Sequence, residues 1–339
     1  MKSAINIILL EHKVHLYKSI HNLIYLHKFV NYSKTKTSMP TVKDWIIATR
    51  PKIMPASLIP VLLGIAAAYH DLDAEELSLN YLTALITLLC GMGIQILTNF
   101  VNDIYDFKKG VDNEDRIGPK RVVAAGIISL KQMKFAATLV AVVTFLLGVY
   151  LVYATDYVIL LIGIISLFLA YGYTAGPAPL SYLGIGDLFV LIFFGIVATN
   201  GTYYIQTGHW SNEVFWMSLP LGFFAMNILS ANNIRDVNTD KRAGKLTLPV
   251  RIGVKNAIML YVVLTCLAYF SGIVVMFMMQ DYVFALPLLT LPLGIKMCFD
   301  IYRKTGVELI HVLIGTTLLL TYYGILLIIS LIITTVMRN

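Results

Sequence analysis

Charge is what this chain has least of. Asp, Glu, Lys and Arg make up 13% of its 339 residues, while 58% are hydrophobic; soluble domains carry about 25% charged residues. That deficit excludes an ordinary soluble domain and points to an all-α, multi-pass membrane protein. Cysteine is scarce too. Cys90, Cys266 and Cys298 lie in or beside apolar runs without CxxC or paired spacing. This argues against a disulfide framework or a zinc site, and the three read as small buried apolar residues. There is no GxGxxG, no P-loop and no HExxH, so none of the usual dinucleotide, nucleotide or zinc-hydrolase fingerprints is present. The net charge of +7 is then a topology signal and not a nucleic-acid footprint.

What is present is a series of long apolar runs. A span needs roughly 20 such residues. Nine candidates lie near 53–70, 81–102, 132–153, 157–174, 187–206, 214–232, 257–279, 282–298 and 310–336. The first and eighth are short and contain proline, so tilting or kinking is expected. Lys and Arg divide unevenly between the loops. Nine precede the first span, seven occupy the loop at 103–131 and the start of the next helix, six fall in 233–256, and three lie at 296–304. The intervening loops "HDLDAEELSLN", "ATD" and "QTGHWSNE" hold none, and Arg338 alone remains at the far end. Nine spans put every basic loop on one side. The positive-inside rule makes that side cytoplasmic, with the N-terminus in; a bacterial inner or plasma membrane is the expected location. Residues 1–38 show no cleavage-site pattern and no signal-peptide h-region. They read as an extension before a domain over 39–339. Four of the seven histidines fall in this extension, and none is assigned a metal.

The charges that do occur near the spans are patterned. "NDIYD" at 102–106 and "NNIRD" at 232–236 each end an apolar run on the basic side, 130 residues apart. That offset carries the second span onto the sixth, as if a four-helix unit were used twice. Residues four apart lie nearly in line on a helix, so Asn232, Asp236 and Asp240 form one stripe. Asn99, Asp103 and Asp106, or Asn102 and Asp106, form another, with Asp112 displaced beyond "FKKGV". Solvated capping acids would be the bland reading. However, Asp near a helix C-terminus opposes the dipole by roughly 0.3–1 kcal/mol, and clustered carboxylates repel unless a cation compensates. Oxygen donors on two facing stripes suit Mg²⁺, which usually binds one or two carboxylates plus substrate phosphates. The expected metal set is Asp103, Asp106, Asp112, Asp236 and Asp240. Arg116, Lys120 and Arg121 follow the first stripe, and Lys241, Arg242 and Lys245 the second. They are placed to neutralise a leaving diphosphate, although positive-inside anchoring accounts for any single one equally well.

Several stretches are similar to a known family. "WIIATRPKIMPASLIPVLLG", "NFVNDIYDFKKGVDNEDRIGPKRVVAAGIIS", "YGYTAGPAPLSYLGIGD", "GTYYIQTG" and "NNIRDVNTDKRAGKLTLPVRIG" together resemble the UbiA superfamily of intramembrane prenyltransferases. Within it they look most like the 1,4-dihydroxy-2-naphthoate polyprenyltransferases of menaquinone biosynthesis. The resemblance runs from about residue 45 to 253. It implies nine helices around a central cavity, a Mg²⁺-bound polyprenyl diphosphate, and a dihydroxynaphthoate acceptor that loses CO₂ to give demethylmenaquinol. Relatives acting on 4-hydroxybenzoate usually carry a lysine after a Tyr-Pro in the loop following the fourth span; none occurs between Tyr171 and Asp187. Either Asp112 or Asp115 completes the first motif. Asp103, Asp106, Asp236 and Asp240 are the expected catalytic acids, and Asn99, Asn102, Asn232 and Asn233 the expected substrate amides. Arg50 and Lys52 are candidates for the acceptor carboxylate or the diphosphate. Tyr173, Tyr203 and Tyr204 are candidates for a cation-stabilising wall, and Asn200 for the cavity. The bilayer is the one other partner expected, with no obligate protein partner. Other aromatic acceptors, such as 4-hydroxybenzoate or homogentisate, remain a second reading. A cation-coupled transporter would instead place its acids near span centres.

Overall fold

A computed structural model describes residues 39–111, 118, 121–177 and 179–338. The described residues are helical throughout, without a strand. A short amphipathic helix α1 (Val42–Thr49) opens them, started by a capping box between Thr41 and Asp44. The apolar helices follow: α2 (Pro55–Ala74), α3 (Tyr81–Lys108), α4 (Leu130–Ala154), α5 (Tyr157–Gly172), α6 (Gly186–Thr207) and α7 (Asn212–Arg235). After the short α8 (Val237–Arg242) come α9 (Val254–Met279), α10 (Tyr282–Arg303) and α11 (Leu309–Arg338). Eight of these are long and apolar enough to cross a membrane, and α5, with 16 residues, is the shorter apolar helix at the place of the expected fourth span.

The prolines of the first and eighth spans behave differently. Pro60 sits inside α2 without ending it. In α10 the first nine residues, Tyr282–Thr290, wind as a 3₁₀ helix containing Pro287 before the α-helix begins at Leu291, because a ring in place of the N–H removes a backbone donor. One feature was not legible beforehand: residues Leu191–Val197 of α6 form a π-helical segment.

Helix α7 is the centre of the packing, in contact with α6, α9 and α11, while α11 lies against α2 and α3 against α4. With no hydrophobic drive between helices in lipid, close approach depends on small residues. A Cβ on Gly195 would stand 2.5 Å from the Gly222 Cα, so α6 and α7 touch backbone to backbone. The small residues of "CGMG" at 90–93 act likewise: a Cβ on Gly93 would overlap the Thr144 Oγ1. Between α7, α9 and α11 the core is aromatic, with Phe224, Tyr269 and Tyr323 packed edge to face at 5.4–6.0 Å. All three cysteines are free. Cys90 is buried and Cys298 half-buried, but Cys266 is exposed on the outer surface of α9, where surrounding lipid makes burial inside the bundle unnecessary.

Candidate active site

Helix α3 has 28 residues, about 42 Å at 1.5 Å per residue. That exceeds a hydrocarbon core of about 30 Å. Its final turns carry Asn99, Asn102, Asp103 and Asp106; Asn99, Asp103 and Asp106 are nonetheless only 2–3% exposed. They are covered by α1 and by the segment after α3. Arg50 caps α1 in the left-handed region at φ 56, unusual for a non-glycine residue and more so before proline. Its Nη2 donates to Asp103 Oδ1 at 2.5 Å, and Arg121 Nη1 donates to the same oxygen at 2.9 Å. Arg121 also stands 3.9 Å from Asp106. Asp103 thus gathers two guanidinium groups that line one cavity.

The second stripe comes from α7 and α8. The helix breaks at Asp236, where φ and ψ are −94° and 7°, then resumes at Val237. Backbone bonds from Asp236 to Asn232 and from Asp240 to Asp236 continue across the break, so the stripe persists around a bend. Arg235 grips both oxygens of Asp236 at 2.8 and 2.6 Å and donates to Asn232 Oδ1 at 2.7 Å. Asp240 accepts from Thr247 at 3.4 Å and lies 4.0 Å from Lys245. Burial pushes the Asp240 carboxyl up to about 6; Lys245 opposes that rise, and the charges of Asp236 and Asp106 add to it. Lys109, over the Tyr182 ring at 3.9 Å, is shifted down from its usual range by burial, against the pull of Asp106.

Both stripes reach one cavity of about 360 Å³, the first through Asn99, Asn102 and Asp106 and the second through Asn232 and Asn233. Asp103, Asp236 and Asp240, expected as catalytic acids, stand off its lining, held back by Arg50 and Arg121, by Arg235, and beside Thr247 and Lys245. Its polar end includes Asn99, Asn102, Asp106, Arg121, Asn232 and Asn233. Away from the polar end it is apolar. Phe145 and Val149 of α4 and Leu160 and Ile164 of α5 line it while also being exposed on the outer surface, so it opens sideways between those helices. The polar end suits a hard divalent cation: its donors are carboxylate and amide oxygens, and Asp106 Oδ1 is buried without a hydrogen-bond partner. Among the described residues no three His, Cys, Asp or Glu side chains come close enough to hold an ion unaided.

Not every expected residue gathers there. Tyr173 lines the cavity. Tyr203 lies 17 positions beyond Gly186 on α6, about 25 Å along the helix, and its hydroxyl bonds Asp71 at 2.7 Å and His209 at 2.9 Å. Tyr204 likewise bonds Asp156. Asn200 is buried, with its amide turned back to the Ile196 carbonyl, and stands off the cavity lining. Lys52 and Lys241 are exposed and also stand off it. Asp112, Asp115, Arg116 and Lys120 lie outside the described residues, as do residues 1–38.

The description "UbiA prenyltransferase family" matches residues 57–308. The chain belongs to the UbiA prenyltransferase family. It is an integral membrane prenyltransferase. Among curated relatives, a 1,4-dihydroxy-2-naphthoate octaprenyltransferase of Haemophilus influenzae is 35% identical over 73% of this chain and 83% of its own length. One of Escherichia coli with the same description is 33% identical over 80% and 88%. A UbiA homolog from Archaeoglobus fulgidus, solved bound to DMAPP and Mg²⁺, shares the fold with a TM-score of 0.60 over 84% of this chain and 99% of that one, at 15% identity.

Among the cavity residues that escaped sequence reading are Gln95, Ser181 and Asp187. Asp187 carried a usable signal, since an ionisable residue within an apolar span is a functional candidate by default. Ser181 and Gln95 carried none, because small polar residues are common in spans as helix glue.

Proposed function

We propose that this prenyltransferase moves an all-trans polyprenyl group from polyprenyl diphosphate to 1,4-dihydroxy-2-naphthoate, releasing diphosphate and CO₂ and forming demethylmenaquinol. The observation that carries the reading is the approach of two Asn/Asp stripes to one mouth of an apolar cavity, lined by Asn99, Asn102 and Asp106 from α3 and by Asn232 and Asn233 from α7, with Asp236 and Asp240 just behind. The named activity of the two relatives supports the acceptor. Residues 39–339 form the catalytic domain in this reading, and residues 1–38 are an extension dispensable for turnover.

Asp106, Asp236 and Asp240, with Asp103 and Asp112 as the remaining acids of the stripes, would hold Mg²⁺. When bound, that ion supplies positive charge against the diphosphate as its negative charge develops. Arg50 and Arg121, positioned by Asp103, face the same developing charge; preorganised stabilisation of this kind is usually the largest catalytic contribution. The apolar lining of α4, α5 and α6 takes the tail and keeps water from the allylic cation. Tyr173 offers an aromatic face to that cation. The charge bias of the loops supports nine spans, with the acidic mouth and the N-terminus on the cytoplasmic side.

The decisive experiment offers purified protein Mg²⁺ and labelled polyprenyl diphosphate, with 1,4-dihydroxy-2-naphthoate and 4-hydroxybenzoate in parallel and CO₂ trapped. Prenylated naphthoquinol with one CO₂ per transfer is expected, with or without residues 1–38. Prenylated hydroxybenzoate without CO₂ would reassign the acceptor within the family.

A further inference from the structure

The cavity holds further polar groups, on α6 and the turn before it. Asp187 is 3% exposed, lines the cavity, and its Oδ1 has no hydrogen-bond partner. Ser181, also on the lining, is 6% exposed and its Oγ is likewise unpartnered. The turn between them is held against Tyr173. The Ser181 N–H donates to the Tyr173 carbonyl at 2.9 Å, and the Tyr173 ring lies so close to Gly186 that a Cβ there would stand 3.1 Å from it. Gly184 turns the chain at φ +71, a conformation that disfavours other residues. This part of the wall is therefore built and rigid, and it leaves two buried polar atoms facing ligand space.

The place of Asp187 in the first turn of α6 favours its charge through the helix dipole but leaves Oδ1 unsatisfied, and buried polar atoms are nearly always paired. An ionised carboxylate only accepts hydrogen bonds. A hydrogen-bond donor or a cation would complete it, but not a bare phosphate, which Asp187 would repel. No other acid on the described lining adjoins it in sequence, as a stripe would supply, so a donor is the better fit. A prenyl diphosphate has no such donor; an aromatic acceptor with ring hydroxyls has two.

We infer that Asp187 binds a ring hydroxyl of the aromatic acceptor and carries its proton through the reaction, with Ser181 positioning the same edge of the ring. The inference rests on the function proposed above. The allylic C–O bond breaks, and its electron pair leaves with the diphosphate. A ring π pair forms the new C–C bond, and the hydroxyl O–H pair becomes a carbonyl as its proton passes to Asp187. When the carboxylate leaves as CO₂, the pair from that C–C bond restores the aromatic ring. The carbonyl oxygen then takes the proton back, and Asp187 ends ionised as it began.

The test uses the full chain in nanodiscs with Mg²⁺, geranylgeranyl diphosphate and 1,4-dihydroxy-2-naphthoate, comparing wild type, Asp187→Asn and Asp187→Glu. A positioned base is worth about 10²–10⁴-fold, so Asp187→Asn is expected to lose kcat by that factor and to raise the acceptor KM, while its Kd for geranylgeranyl diphosphate stays within about twofold of wild type. Asp187→Glu, which keeps the charge on a longer arm, should fall between them, about tenfold below wild type. It carries the test alone if the Asn variant does not fold, and wild-type kcat in the Glu variant would then overturn the inference. An Asn variant with unchanged kcat and KM also overturns it, as does parallel loss of diphosphate binding, which marks a structural role. A wild type inert toward the naphthoate overturns the proposed function and this inference together.

Discussion

Asp236 and Asp240 lie four residues apart yet sit in different electrostatic settings. Asp236 is held on both oxygens by Arg235, and so is oriented as well as neutralised. Removing it frees a buried guanidinium, and removing Asp106 takes away an oxygen that has no other partner. Asp106→Ala and Asp236→Ala are each expected to lower turnover at least about 10²-fold in protein that still elutes as a monodisperse species; near-wild-type rates in either would sink the two-stripe reading. Asp240 carries a different prediction. Burial pushes its carboxyl up to about 6 in the folded protein, from an ordinary 3.8. The folded protein therefore binds that proton more tightly than the unfolded chain does. The associated stability is fully present below 3.8 and is lost as pH rises through about 6. Without divalent cations, the melting temperature of wild type relative to Asp240→Asn should fall over that window and then level off. A constant offset from pH 4 to 7 would show that Asp240 is not shifted.

At the scale of elements, the lengths of α3 and α7 place the chemistry where it is. Each runs past the apolar layer, and each ends in Asn and Asp at helical spacing. That much was legible, because composition and period are local properties. The break at Asp236 was not, since the sequence there reads as unbroken helix. The π-helical segment of α6 was hidden for the same reason: its seven residues, LIFFGIV, are ordinary span residues. The segment lies where α6 meets α7 at Gly195 and Gly222, and a side chain there would force the helices apart. Gly195→Val should destabilise the protein by about 1–3 kcal/mol, read as a lower thermal midpoint in detergent. Prenyl diphosphate binding would weaken along with it. An unchanged midpoint would mean that the contact is loose.

For the whole molecule, the apolar length of the helices establishes a membrane protein, and loop charge predicts its direction. Helix α5 has only 16 residues, so the nine-span count depends on a helix shorter than the usual crossing. Cysteine labelling on either side of α5, at Tyr157 and Leu183, tests whether it crosses, since both label from one side if it does not, and labelling on either side of α7 tests the orientation. In a background lacking the native cysteines, a cysteine at Ser211 should react with a membrane-impermeant maleimide from outside intact cells. One at Lys241 should react only after permeabilisation. The reverse pattern would invert the protein, and labelling of both from one side would remove a span between them.

The sequence by itself determined the class of fold, the approximate ends of most spans and the acidic residues at two of those ends. Hydrophobicity, helical period and charge bias are carried by neighbours along the chain and survive without knowledge of what they face. Only the tertiary structure decided which of those residues share a cavity. Tyr173 and Tyr203 look alike as aromatic residues in apolar spans, but one lines the cavity and the other closes a hydrogen-bonded cluster with Asp71 and His209. Arg50 and Lys52 are two residues apart, but only Arg50 reaches Asp103, because a left-handed cap turns the chain there. Asp187 stands 81 residues from Asp106, on the same cavity. Meetings of this kind are set by helix packing, to which each residue contributes through contacts with distant partners, and no local pattern records them.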